Sequence, residues 1–159
     1  MKVYAYADGA SRGNPGLSAS GYWLLDESHR LIFKRAFYNG KCTNNVAEYM
    51  AVIEALRKAL ELLGPDAEVV LVSDSRLVIS QIAGKYKVRS PNLKALNEDA
   101  KVLLGRFRSH RLLNVRRENE YVSKVDADLN ELLDSIEEGG ADTAPGPKIH
   151  RGDNFQAKI

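Results

Sequence analysis

Three acidic residues sit in settings that could carry phosphodiester chemistry. Asp8 opens the run Asp8-Gly9-Ala10-Ser11-Arg12-Gly13-Asn14-Pro15-Gly16. Glu48 lies in Cys42-Thr43-Asn44-Asn45-Val46-Ala47-Glu48-Tyr49-Met50-Ala51, and Asp74 ends Val70-Leu71-Val72-Ser73-Asp74-Ser75. Each has a bland interpretation. Asp8 could end a strand before an ordinary hairpin loop, although the flanking glycines would also let a bulky partner approach the backbone. Asn45 and Glu48 have capping-box spacing, with Asn45 as the N-cap and Glu48 favoured by the helix dipole. Alternatively Glu48 faces a sheet as a metal ligand, leaving the Asn44 and Asn45 amides for sugar hydroxyls or base edges. Asp74 or Ser75 could cap a helix, or Asp74 could serve a site at the carboxyl end of a buried strand.

The three motifs gain meaning together. If the strand bearing Asp8 runs parallel to the one ending at Asp74, and the helix bearing Glu48 crosses them, three carboxylates converge. Like charges so close repel unless cations neutralise them. Hard oxygen ligands suit Mg²⁺ or Mn²⁺, and the chain has no His/Cys quartet with zinc spacing. Two such ions about 4 Å apart would activate water and stabilise the leaving oxygen of a phosphodiester.

The elements that must position these acids follow from periodicity. Lys2 to Asp8 alternates like a half-buried strand, and Gly21 to Leu25 and Leu31 to Tyr38 read as two more, forming an antiparallel meander. From Asn45, apolar residues recur every three or four positions until Gly64-Pro65, the pattern of a long amphipathic helix. Glu68 to Ser73 reads as a central strand covered on both faces. Helices are expected around Ser75 to Ala83, Pro91 to Phe107 and Tyr121 to Glu137, with a short strand at Leu112 to Arg116. The order βββαβααβα describes a mixed sheet flanked by helices.

At 159 residues with 44% apolar composition, the chain matches one domain with one core. Residues 138–159 are rich in glycine and proline, lack helical periodicity and read as an appended tail beyond a 1–137 catalytic domain. Lys+Arg 23 against Asp+Glu 21 gives a net charge of +2, too mild to announce nucleic-acid binding, so any basic surface must come from local clustering. A lone cysteine and a first segment unlike a signal peptide point to a reducing, cytoplasmic setting. The longest apolar runs are far shorter than the roughly 20 residues a membrane span needs.

In this order and separation, DGASRGNPG, TNNVAEYMAVIEAL and SDSRLVISQ resemble three blocks of the type 1 ribonuclease H family, over about residues 1–137. The resemblance implies an α/β ribonuclease H-like fold, a five-stranded mixed β-sheet flanked by α-helices. It also implies a monomer that hydrolyses the RNA strand of RNA/DNA hybrids with two Mg²⁺, Mn²⁺ being a plausible substitute, and leaves 5′-phosphate and 3′-hydroxyl ends. Asp8, Glu48 and Asp74 match the family's first three metal-binding acids. Asn14, Thr43, Asn44, Asn45 and Gln81 fall where it contacts substrate backbone and RNA 2′-hydroxyls, the groups that separate RNA from DNA.

The resemblance implies a fourth acid at the start of the last helix, where Asp126 and Asp128 both flank the apolar stripe of Val125, Leu129, Leu132, Leu133 and Ile136. Asp126 is preferred, because the buried residues then follow at spacings closer to the family's, with Asp128 the alternative. Two departures stand out. In place of a long basic protrusion this short form has only Lys85, Lys87 and Arg89 around Tyr86, which could meet the DNA strand or simply end a solvated helix. The usual histidine before the last acid is absent, and Arg116 or Arg117 occupies its region, as in archaeal-type relatives, some of which also cut double-stranded RNA. Arginine can hold phosphate but cannot shuttle protons near neutral pH. An inactive hybrid-binding relative and a DNA-directed nuclease of the same fold are the competing expectations; the intact acids argue against the first, and the Thr43-Asn44-Asn45 segment against the second.

Overall fold

A computed structural model describes residues 1–139. The elements are β1 (Lys2–Gly13), β2 (Gly16–Leu25), β3 (Leu31–Cys42), α1 (Asn44–Leu63), β4 (Glu68–Ser73), α2 (Arg76–Ile82), α3 (Pro91–Leu104), β5 (Ser109–Asn114) and α4 (Glu120–Glu137). They form a five-stranded sheet in the order β3-β2-β1-β4-β5. The meander pairs antiparallel, whereas β4 runs parallel to both β1 and β5, the mixed sheet expected. Apart from its first two residues, the expected 138–159 tail lies outside the described residues.

Both faces of the sheet are covered. Val3, Ala5 and Ala7 of β1 join a core with α1 and α3, while Tyr6 joins a second core with Val70, Val72 and the Val122, Val125, Leu129 and Leu133 stripe of α4. The half-buried reading of β1 is thus corrected: Tyr6 and Asp8 on its second face are only 6% and 5% exposed. Alternation there came from mixing polar and apolar types, and α4 supplies the cover.

Several boundaries also move. β1 and β2 continue to Gly13 and from Gly16 because their ladder runs unbroken from Tyr4↔Leu25 to Gly13↔Gly16, including polar positions that carry no apolar signal. β5 begins at Ser109 and ends at Asn114, not at 112–116. Its register against β4 starts at Glu68↔Ser109, and as an exposed edge strand it needs few apolar residues. α3 ends at Leu104, where Gly105 takes the C-cap and donates to the Lys101 carbonyl at 3.0 Å, so Phe107 lies beyond it.

Close packing fixes α1 on the sheet. A Cβ built on Gly9 would stand 2.4 Å from the Ala47 carbonyl carbon and 2.6 Å from the Glu48 nitrogen, so only glycine allows this approach. Ser20 donates its hydroxyl to the Ala47 carbonyl at 2.6 Å, bonding β2 to the same turn. The first turn of α1 is therefore held against β1 at the place where β1 presents Asp8.

Candidate active site

Each acid reaches the site by a different backbone route. Asp8 lies on the α4-facing side of β1, Asp74 follows the end of β4, Glu48 lies in the first turns of α1 and Asp126 on α4. Parallel pairing of Tyr6 with Val72 brings the continuations of β1 and β4 out at the same edge of the structure. Ligating oxygens of Asp8, Glu48 and Asp74 lie within 4.8 Å of one another. These three, Asp126 and Arg117 line one cavity of about 640 Å³, together with Gly9, Ser11, Asn44 and Val122.

The capping-box reading of Glu48 is corrected. Thr43, not Asn45, is the N-cap, accepting the Val46 N–H at 3.3 Å. Glu48 instead accepts the Gly9 N–H at 3.0 Å, across the α1/β1 contact. That bond aims a carboxylate at Asp8 rather than back along its own helix. Ser75 caps α2 by accepting the Val78 N–H at 3.1 Å, so Asp74 is not needed for that purpose.

Electrostatics register the crowding. Burial, then repulsion from Asp74 and Asp126, pushes the Asp8 carboxyl up to about 8, against a small opposing pull from the Gly9 N–H. Glu48 is raised well above the ordinary carboxylate range, first by burial and then by Asp8 and Asp74. Asp74 is also raised, chiefly by burial, while the Arg117 guanidinium pulls it down. Oxygen donors alone, mutually repelling and partly desolvated, form a set that a hard divalent cation fits and that a monovalent cation would neutralise poorly.

The Asp126/Asp128 alternatives separate by environment. Asp126 is exposed at the cavity and close enough to Asp8 to raise its pKa by charge and by a side-chain hydrogen bond. Asp128 points elsewhere: it accepts the Trp23 indole N–H at 2.8 Å and lies 3.8 Å from the Lys34 ammonium. An indole N–H is donor-only and wants an acceptor when covered. The lone tryptophan was the signal in the sequence that could have claimed Asp128.

Of the residues expected to contact substrate, Asn44 lines the acidic cavity. Asn14 is exposed and accepts the Asn44 N–H at 3.1 Å, and Asn44 accepts the Ser11 N–H at 2.7 Å, tying the β1–β2 turn to the start of α1. Asn45 is half-buried beside them, and the Thr43 hydroxyl is occupied in the cap. Gln81 is not brought to the acids. It is 4% exposed, its side-chain oxygen accepts the Tyr49 hydroxyl at 2.7 Å, and its amide donates to the Lys87 carbonyl at 3.5 Å. Lys85 and Tyr86 line a separate cavity of about 330 Å³ with Arg76, Ser80 and Asn114. Arg76, within the SDSRLVISQ block, was not among the residues expected to contact substrate. Arg116 and Arg117 are both exposed, but only Arg117 joins the acidic cavity.

Comparison with known proteins agrees with this geometry. The RNase H family model matches residues 1–129. Ribonuclease HI of Halobacterium salinarum is 38% identical over 133 residues, 84% of this chain and 65% of that protein. The bifunctional protein Rv2228c of Mycobacterium tuberculosis is 37% identical over 152 residues, 94% of this chain but 40% of the relative, so the chain spans about two fifths of that protein's length. Among solved structures, RNase H1 of H. salinarum aligns with a TM-score of 0.79 and 36% identity over 84% of this chain and 98% of that one. LC11-RNase H1 in complex with an RNA/DNA hybrid aligns with a TM-score of 0.73 and 32% identity, over 82% and 99% of the two chains. With its sheet order, its acidic cluster and these relatives, the chain belongs to the RNase H family.

Proposed function

We propose that this chain is an endonuclease that hydrolyses the RNA strand of RNA/DNA hybrids without sequence preference, leaving 5′-phosphate and 3′-hydroxyl ends. The observation that carries the reading is the convergence of Asp8, Glu48 and Asp74 oxygens within 4.8 Å, with Asp126 in the same cavity. Relatives named ribonuclease HI and a structural neighbour bound to an RNA/DNA hybrid support the substrate class.

Asp8, Glu48, Asp74 and Asp126 would hold a pair of Mg²⁺ or Mn²⁺ ions, with Asp126 as the fourth ligand and not Asp128. Bound there, such ions supply an activated water and charge neutralisation at the scissile phosphate. The remaining work falls to the chain. The Gly9 N–H holds the orientation of Glu48. Arg117, beside Asp74, is placed to grip a phosphate oxygen as a permanent cation, and it cannot act as the proton shuttle. Asn44, supported by Asn14, offers its amide to an RNA 2′-hydroxyl at the cavity rim. A site reading sugars and phosphates cuts independently of sequence.

The test uses labelled RNA/DNA, RNA/RNA and DNA/DNA duplexes with Mg²⁺, Mn²⁺ or EDTA. Hybrid cleavage that needs the metal, and that Asp8→Asn abolishes while hybrid binding persists, is expected. Cleavage of RNA/RNA as well would extend the substrate to double-stranded RNA, and cutting of DNA/DNA alone would overturn the assignment.

A further inference from the structure

Arg12 stands in the same motif as Asp8, four residues further along β1 and on the same α4-facing side, since the side chains of a strand alternate. It does not line the acidic cavity. Its guanidinium reaches instead to the second half of α4, where one nitrogen donates to Asp134 at 2.8 Å and to Glu137 at 2.6 Å. The other nitrogen donates to Asn130, to its side-chain oxygen at 3.0 Å and its carbonyl at 3.3 Å.

Asn130 carries the connection back to the acids. Its amide nitrogen donates to the Asp126 carbonyl at 2.9 Å, which fixes the rotamer and leaves the amide oxygen facing Arg12. Both ends of one amide are used, and the bonds run in a single sense from Arg12 through Asn130 to the turn that bears Asp126. The Asp126 side chain in turn hydrogen-bonds the Asp8 carboxyl. β1 and α4 are thus joined by polar contacts at two levels, Asp8 with Asp126 and Arg12 with Asn130 and Asp134.

The spacings of the two elements agree. Residues 8 and 12 are about 13 Å apart along a strand, and residues 126 and 134 about 12 Å apart along a helix, so both levels can be made at once. Val125, Leu129 and Leu133 bury α4 against the sheet without directional bonds. The planar fork of Arg12, bonded to three residues of α4, fixes the position of the helix along β1. A slide of one residue would carry Asp126 about 1.5 Å. Mg²⁺ takes oxygen ligands only at about 2.0 to 2.1 Å, so a slide of that size would remove the fourth carboxylate from reach.

We infer that Arg12 and Asn130 are positioning residues for the fourth acid, holding Asp126 at the separation from Asp8 that a divalent cation requires. Both act through Asp126 and neither touches the reacting atoms. The inference rests on the metal-dependent reading above and adds two residues to it. Because Asp134 and Glu137 are exposed, their pairs with Arg12 add little stability, and an effect on metal binding is separable from one on folding.

The experiment is Mg²⁺ binding to the full chain by calorimetry, beside the Mg²⁺ concentration that half-saturates hybrid cleavage and the Tm in EDTA. Arg12→Leu and Asn130→Ala should each weaken Mg²⁺ binding and raise the half-saturating concentration by about 10-fold or more, the usual effect of losing a partner behind a metal ligand. The double variant should be no worse than the poorer single one, since both act on one chain of bonds. Ile136→Val, which thins the apolar packing of the same helix, should lower the Tm and leave Mg²⁺ affinity unchanged. Hybrid binding in EDTA should be the same in all of them. Unchanged Mg²⁺ affinity in either single variant, an equal loss in Ile136→Val, or full multiplication in the double variant would overturn the positioning role. A loss of hybrid binding in EDTA confined to Arg12→Leu would overturn it too, by making Arg12 a phosphate contact. A wild type that binds Mg²⁺ and cuts no hybrid would instead sink the hybrid-cleaving reading, while calorimetry still decides the role of Arg12 and Asn130.

Discussion

Replacing Asp8 with Asn should make the metal-free protein more stable while destroying its activity. In the fold, Asp8 is 5% exposed and its carboxyl is pushed up to about 8 by burial and by Asp74 and Asp126. An unfolded Asp titrates near 3.9. Because the folded value is the higher one, ionisation is resisted by the fold: stability is fully present below about pH 4 and is lost as pH rises toward about 8. A gap of about four pKa units corresponds to roughly 5 kcal/mol. Glu48 and Asp74 share the same repulsion, so one substitution recovers only part of it, about 2 to 4 kcal/mol near pH 8. For a chain of this length that is a rise in Tm of about 6 to 12 °C. The assay is thermal unfolding in EDTA at several pH values. Asp8→Asn should melt above the wild type near pH 8, with the gap shrinking toward pH 5. Adding Mg²⁺ should raise the wild-type Tm much more than that of the variant, since only the intact cluster gains binding energy. A variant that melts at or below the wild type near pH 8 in EDTA, or a gap independent of pH, would refute the repulsion argument.

Four further substitutions probe the frame of the site. Asp126→Asn should lower Mg²⁺-dependent hybrid cleavage by at least about 100-fold at unchanged fold, as judged by circular dichroism. Asp128→Ala should retain most of that activity and lose about 1 kcal/mol in urea unfolding, the worth of the Trp23 hydrogen bond. Gly9→Ala places a Cβ 2.4 Å from the Ala47 carbonyl carbon, so destabilisation at or above the usual overpacking limit of about 3 kcal/mol is expected in the same measurement. Arg12 bonds Asp134 at 2.8 Å, Glu137 at 2.6 Å and the Asn130 side chain at 3.0 Å, joining the end of β1 to α4. Because Asp134 and Glu137 are largely solvated, Arg12→Ala should cost only about 1 kcal/mol, and that loss should shrink in high salt.

Element order, the mixed sheet and the three motif acids were legible in the sequence because periodicity and turn residues act locally. Val69 to Val72, short and mostly β-branched, reads as a covered strand, and the run from Val46 to Leu63 keeps a helical period throughout. What could not be read depended on partners far along the chain. Glu48 has capping-box spacing from Asn45, and only the 39-residue contact with the Gly9 N–H shows where its carboxylate goes. Asp126 and Asp128 are equally placed beside the stripe of α4, and Trp23, 105 residues away from Asp128, separates them. Gln81 was expected at the substrate only through the family resemblance, yet Tyr49 and Lys87 enclose it.

Rigid placement explains why repelling acids can be kept together at all. Gly9 permits backbone contact with Ala47, Ser20 hydrogen-bonds the same turn of α1, and on the opposite face the Val125 side chain of α4 would lie 3.2 Å from a Cβ on Gly21. None of these contacts uses the side chain of residue 8, 48 or 74. Apolar burial on both faces of β1 and β4 therefore offsets the electrostatic strain. A flexible frame would relieve that strain by letting the carboxylates separate, and the site would lose its fit for a divalent cation. The local conflict between charge and burial at Asp8 is thus the mark of function, where foldability alone would have chosen an apolar residue.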